Sequence, residues 1–191
     1  MEAKMFTTFR VIDTETKLHS TPAVLTAREL AAFRRLMQYQ RIPIDPDPGE
    51  IEGTAYHFEV NANGVPLAAF ATALDFRADV IAVVEEAQWL GRSLRVERVT
   101  PTSSIVLRVS NHIAFTNTFT MAEDLAAKAF HALGIDPRKT RSITMHQLRT
   151  LLQNPAVFAA FDSAQIEAVY NNFAQFAFLD CGEQQPELEW Q

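Results

Sequence analysis

Three side chains near the middle of the chain, His57, Glu59 and His112, are of types that do acid-base or metal chemistry. His57 and Glu59 stand two residues apart in an alternating stretch, so both point to the same face of a strand. If a second strand brings His112 beside them, the three side chains form a polar pocket with two histidines and one carboxylate. A solvent-facing side of the strand explains the same pair, and nothing in the sequence requires the two strands to be neighbours.

Cys181, the single cysteine, follows Asp180 and lies two residues before Glu183. Negative neighbours raise the pKa of a thiol, so the sequence predicts a poor nucleophile. The sequence contains no glycine-rich phosphate loop, no nucleophile elbow and no H-E-x-x-H zinc motif. We therefore expect no metal and no cofactor. Enzyme activity stays open, with a non-enzymatic role favoured.

The segment 136–147 resembles an EF-hand loop in its spacing, with a helix predicted on each side. Asp136 occupies the first loop position, but Arg138 and Thr140 stand at positions three and five, and Gln147 replaces the bidentate glutamate. Three basic residues in the loop, Arg138, Lys139 and Arg141, repel calcium, so the resemblance implies a loop that does not bind it. We favour the alternative interpretation, in which the segment is an ordinary capped helical turn.

Phenylalanine is concentrated near the C-terminus, within a predicted helical region. Such a cluster either forms the core of that region or closes against a second chain. The candidate partner-binding residues are Phe158, Phe161, Phe173, Phe176 and Trp190.

The net charge is −6, from 17 basic and 23 acidic side chains. This sign opposes a phosphate backbone, so we expect no nucleic-acid partner. No apolar run approaches the roughly 20 residues that span a bilayer, and the N-terminus lacks a secretory pattern. We therefore expect a cytoplasmic protein with no membrane association. The excess of arginine over lysine, with abundant alanine, is typical of a bacterial or phage source.

Periodicity and turn residues predict an α+β fold. Thr26 and Glu29 form a capping box that begins the first helix. Asn63 and Gly64 predict a hairpin turn that pairs Val60 with Leu67. A helix follows Asp75 and ends at Gly91, and a second antiparallel pair comprises residues 94–99 and 105–110. Three or four helices follow from residue 120, one of them capped by Thr144.

The expected organisation is an α+β core over residues 1–119, a C-terminal helical annex over 120–179 within the same compact unit, and a flexible acidic tail over 180–191. The order of helices and hairpins resembles that of small acidic secretion chaperones, from which the annex departs. Two functions remain open. The first is a protein-interaction module, such as an acidic adaptor, chaperone-like protein or inhibitor, that works as a homodimer. The second is a small enzyme or ligand-binding domain with its pocket at His57, Glu59 and His112.

Overall fold

The structure is a computed structural model that describes residues 6–46, 56–100, 102–114, 118–181 and 184–191. The chain divides into two compact units: unit 1 comprises Met1–Thr16 with Thr116–Gln191, and unit 2 comprises Lys17–Phe115. Along the described residues the elements follow one another as β1 (Phe6–Ile12), β2 (Ala23–Leu25), α1 (Ala27–Tyr39), β3 (Asp45–Pro46), β4 (Tyr56–Val60), α2 (Leu67–Ala73), α3 (Ala78–Trp89), β5 (Arg92–Arg98), β6 (Ile105–Ile113), β7 (Phe119–Ala122), α4 (Glu123–Leu133), β8 (Ser142–Thr144), α5 (Met145–Leu152), α6 (Pro155–Ser163), α7 (Glu167–Ala177) and β9 (Glu187–Trp190).

Both units combine helices with antiparallel strands, which confirms the predicted α+β class and the helices after residue 120. None of the helices in the described residues is long and apolar enough to cross a membrane.

In unit 2, strands β3, β4, β5, β6 and β2 pair in that order. Alternation along each strand places one set of side chains in a core with helices α1, α2 and α3 and the other set on the opposite face of the sheet. Phe33 of α1 lies at the centre of this core, where its ring contacts those of Phe58 and Phe70 with centroids 6.4 and 5.9 Å away. The strand residues that are not buried in this core therefore lie on the opposite face of the sheet.

Helix α1 begins as the sequence predicts. The Thr26 hydroxyl accepts a hydrogen bond from the Glu29 amide, and the Glu29 carboxylate accepts one from the Thr26 amide. Arg77, in the turn before α3, donates to the same carboxylate at 2.9 Å. This contact joins the start of α1 to the start of α3.

The hairpin predicted at Asn63 and Gly64 is not formed, because the residues that follow the turn make helix α2. Neither turn residue has the positive φ that a type I′ turn requires. Instead the Asn61 side chain accepts from the Asn63 amide and Val65 donates to the Ala62 carbonyl. The alanine-rich segment after Pro66 favours helix over strand, and a short apolar run fits either period.

The helix predicted after Asp75 begins later than expected, at Ala78. Asp75 and Phe76 both have a positive φ, so they form a turn before the helix and not its cap. The end is as predicted, since Gly91 takes the left-handed conformation, with φ 62°. The predicted second strand pair is also present, as β5 and β6.

In unit 1, β1 pairs with β7 and β9, and β9 also pairs with β8. An aromatic cluster lies over these strands. Its members are Phe9, Phe119, Phe130, Phe161, Phe173, Phe176 and Trp190, with centroids of contacting rings between 4.8 and 6.5 Å apart. Rings from both termini of the chain therefore share one core.

This arrangement departs from the expected organisation in two ways. The division falls after Thr16 and after residue 115, and not at residue 119, because strand β1 pairs with strands from the C-terminal part. The tail expected to be flexible contains strand β9, because Leu188 and Trp190 alternate with two glutamates and fill the core of unit 1, with exposures of 1% and 4%.

Candidate functional sites

The polar face of unit 2 lies on the side of β4, β5 and β6 that faces away from the helical core. Glu59 is at its centre, directly opposite Arg95 on the neighbouring strand. The carboxylate of Glu59 accepts a hydrogen bond from the Ser110 hydroxyl at 2.7 Å and contacts the Arg95 guanidinium at 3.3 Å. Its other oxygen lies 3.4 Å from Nδ1 of His112. The structure therefore brings together two of the three residues that the sequence singles out.

A second carboxylate, Glu97, extends the polar face along β5. Arg95 donates to it at 2.8 Å and Arg108, on β6, contacts it at 3.1 Å. Burial alone raises the pKa of Glu97, but the two guanidinium groups outweigh this effect and hold the pKa below its ordinary value. Two carboxylates and two guanidinium groups thus alternate across the strands without net charge.

The two ring nitrogens of His112 differ in their surroundings. Nδ1 faces Glu59, which favours the tautomer with its proton on Nδ1. Nε2 is buried and has no hydrogen-bond partner among the described residues. Such a nitrogen can accept a hydrogen bond from a polar group of a small molecule.

His57 points to the same face of β4 as Glu59 and lies opposite Glu97 in the strand register. No group of three His, Cys, Asp or Glu side chains in the described residues is arranged to hold a metal ion. A two-histidine, one-carboxylate metal site is therefore not formed there.

Unit 1 contains a cleft of about 760 Å³, formed between the start of α5 and the connection from α7 to β9. This volume lies within the usual range for small-molecule and peptide-side-chain pockets. The described residues that line the cleft are Glu15, Thr144, Met145, His146, Arg149, Phe178, Leu179, Asp180, Cys181, Gln184, Gln185, Pro186 and Glu187.

Carboxylates predominate among the charged groups of this cleft. Glu15, Asp180 and Glu187 line it together with one guanidinium group, that of Arg149. Arg149 donates to the carbonyl oxygens of Ala177 and Leu179, so its charge is directed at the C-terminal end of α7. The cleft as a whole therefore favours a positively charged group.

Apolar side chains form the remaining wall of the cleft. Phe178 is 65% exposed, and it lines the cleft together with Met145, Leu179 and Pro186. An exposed ring next to carboxylates can stack on an aliphatic chain or a cation. The cleft thus combines an apolar contact with a negative charge.

Cys181 lines the same cleft but is only 8% exposed. Burial raises the pKa of its thiol, Asp180 and Asp13 raise it further, and Arg149 opposes them. The raised pKa agrees with the sequence-based expectation of a poor nucleophile.

The aromatic residues expected to bind a partner are mostly in the core. Phe161 and Phe173 have no exposed surface, and Phe176 and Trp190 are 4% exposed. This corrects their assignment to a surface, because they pack on each other and on strand β1. Only Phe158, which is 50% exposed and contacts Tyr170, remains accessible.

The EF-hand-like segment forms a turn, strand β8 and the start of α5. The Arg138 amide donates to Asp136, and this bond lowers the pKa of its carboxyl, while Lys139 lies 3.4 Å from the same side chain. Thr144 and Gln147 form the capping box of α5. The carboxylate at the first loop position thus pairs with groups of its own turn.

Sequence reasoning missed Arg95, Arg108 and Ser110, which complete the polar face, although their alternation with apolar residues in two strands was visible. It also missed the cleft, whose described walls come from residues 15, 144–146, 149, 178–181 and 184–187 and have no shared motif. Comparison with family models, with curated proteins and with solved structures found no match to this chain.

Proposed function

We propose that this protein is a non-enzymatic protein-interaction module of the acidic adaptor, chaperone-like or inhibitor class, which works as a homodimer. The observation that supports the proposal is the acidic cleft of unit 1, with Phe178 exposed on its wall. We infer that the cleft binds a short segment of a partner protein that carries lysine or arginine beside an apolar side chain.

Charge and shape both support this choice of partner. The cleft contributes the carboxylates of Glu15 and Asp180, which are exposed, and the whole chain has a net charge of −6. Complementary charge raises the association rate of a basic segment, and burial of an apolar side chain against Phe178 and Met145 slows its dissociation. The area is small, so the affinity belongs to the transient class.

The test measures binding of a fluorescein-labelled octapeptide of alternating lysine and phenylalanine by fluorescence anisotropy. We expect the double variant Glu15→Gln/Asp180→Asn to bind about fivefold to tenfold more weakly, because two exposed charge pairs contribute ~0.5 kcal/mol each or somewhat more. Higher salt should reduce the difference between the variant and the unaltered protein.

The matched control is Asp162→Asn/Glu167→Gln, which removes the same charge from exposed positions near the start of α7. A peptide of alternating glutamate and phenylalanine tests the sign of the charge. If both double variants bind the basic peptide as the unaltered protein does, the cleft is not the binding site and the proposal fails.

The contact between Glu59 and His112 favours a second candidate, a small enzyme or ligand-binding domain with its site on the polar face of unit 2. The buried Nε2 of His112 would bind a polar group of the ligand. A small-molecule library screened by thermal shift tests this candidate. His112→Phe should abolish the shift of any ligand bound there, and the response should persist in Thr102→Ala, at an exposed position outside the face. A His57→Ala protein that keeps the response would remove His57 from the site.

A further inference from the structure

The last strand of the chain holds the sheet of unit 1 together. Strand β9 lies between β1 and β8, and β8 has no other strand partner in the described part of unit 1. Thr8 and Gln191 exchange two backbone hydrogen bonds of 2.9 and 3.2 Å, and the Trp190 amide donates to Arg141. Without β9, both β1 and β8 would expose unpaired backbone groups.

Strand β9 fills a groove between β1 and β8, and its side chains fit this groove on both faces. Leu188 and Trp190 are buried in the aromatic core. On the other face Glu189 pairs with Arg10 at 2.8 Å, and Glu187 accepts a hydrogen bond from Ser142 at 2.7 Å. A strand that fills the groove therefore needs two apolar residues alternating with two acidic ones in this register.

The connection to β9 is long enough to reach another molecule. The described residues between Ala177, which ends α7, and Glu187 include no helix or strand. Nine residues in extended conformation span about 30 Å.

We propose that the groove between β1 and β8 is a strand-acceptor site and that a second copy of this chain fills it with its own β9, giving a strand-exchanged dimer. A second copy is the matching occupant because it brings the same Glu-Leu-Glu-Trp sequence in the same register. Strand β9 makes the same contacts in the exchanged and closed forms, so protein concentration and the contacts of the connection, such as the Arg149 bond to the Leu179 carbonyl, decide between them.

This inference rests on the homodimer part of the proposed function and does not depend on what the cleft binds. In the exchanged form Pro186 and Glu187 of one copy would line the cleft of the other. Formation of the exchanged dimer would therefore also complete the cleft of each copy.

The test uses two full-length proteins in a Cys181→Ser background, one with Arg10→Cys and the other, isotope-labelled, with Glu189→Cys. These positions face each other across the two strands. Strand partners of this kind have Cα atoms about 4.5 to 5.5 Å apart, a distance that a disulfide spans. The two proteins are mixed at high concentration, oxidised, and analysed by intact mass.

We expect on the order of tenfold more disulfide between the unlike chains than in a control mixture of Arg10→Cys with Glu167→Cys. The reason is that pairing of β1 with β9 in register raises the effective concentration of one thiol near the other. If the two mixtures give equal yields, strand exchange is overturned. A dimer seen by light scattering without the specific disulfide overturns exchange but keeps the homodimer, whereas a monomer at all concentrations removes both.

A second pair of cysteine substitutions controls for a folding defect in the Arg10→Cys variant. Thr8→Cys and Gln191→Cys face each other in the hydrogen-bonded pair at the end of the strand, outside the aromatic core. The same excess of unlike disulfide is expected from this pair, and equal yields there would again overturn the proposal.

Discussion

The indole of Trp190 packs against the ring of Phe130, with centroids 5.1 Å apart and the indole nitrogen buried without a partner among the described residues. One ring belongs to the second-last residue of the chain and the other to helix α4. This contact makes strand β9 a part of the core of unit 1.

We expect Trp190→Ala to lower the free energy of unfolding by about 3 to 5 kcal/mol, since it leaves a large cavity in the core. The chain supplies a matched control in its other tryptophan, Trp89, which is 86% exposed. Trp89→Ala should change the free energy by less than ~0.5 kcal/mol. Urea unfolding followed by circular dichroism measures both, and equal effects would contradict the buried position of Trp190.

Stability should depend on Glu29 in acid. The Arg77 guanidinium lowers the pKa of this carboxyl from 4.5 to about 2. Because the folded state favours the carboxylate, the stabilisation is complete above pH 4.5 and is lost as the pH falls towards 2.

Glu29→Gln tests this dependence, because glutamine occupies the same position in the capping box of α5. We expect a loss of about 1 kcal/mol at pH 7, the modest value typical of a partly exposed ion pair, and almost none at pH 2. Asp124→Asn, at an exposed position, serves as the control. A loss that is independent of pH would show that the charge of Glu29 is not involved.

Arg95 should be the most sensitive residue of the polar face. Arg95→Met removes the group that lies between Glu59 and Glu97. We expect a cost of about 1 to 3 kcal/mol, because two largely buried carboxylates lose a charged partner. The pKa of Glu97 should rise, which two-dimensional NMR of its side chain can follow.

A double-mutant cycle separates the pair from the rest of the face. Adding Glu97→Gln to Arg95→Met should recover part of the lost stability, since the unpaired charge is removed. The exposed pair of Asp136 and Lys139 provides the comparison, and Lys139→Met should cost less than ~0.5 kcal/mol. Additive effects in the Arg95 cycle would contradict a direct interaction.

The thiol of Cys181 should react slowly in the folded protein. Burial raises its pKa, so the reactive thiolate is disfavoured, and the pH midpoint of its reaction with Ellman's reagent should lie above that of the unfolded chain. At pH 8 we expect a native rate about a hundredfold below the rate in guanidinium, because reagent access needs local opening. Equal rates would place the thiol at the surface.

Local signals predicted the helix boundaries well where a side chain satisfies the backbone directly. The capping boxes at Thr26 and Thr144 and the stop at Gly91 all form as expected. Local signals failed at Asn63 and Gly64, where an alanine-rich segment forms a helix after a turn that also suits a hairpin. Local signals also misplaced the start of the helix after Asp75, which begins at Ala78.

The sequence alone determined the α+β class, most helices and the face on which His57 and Glu59 lie, because these follow from periodicity and capping within a few residues. Tertiary structure alone decided that Glu59 meets His112, that Trp190 is buried and that residues 15 and 180 line one cleft. These contacts join residues far apart in the chain, and the pairing of β4 with β5 and of β1 with β9 is set by global packing. No local pattern encodes that pairing.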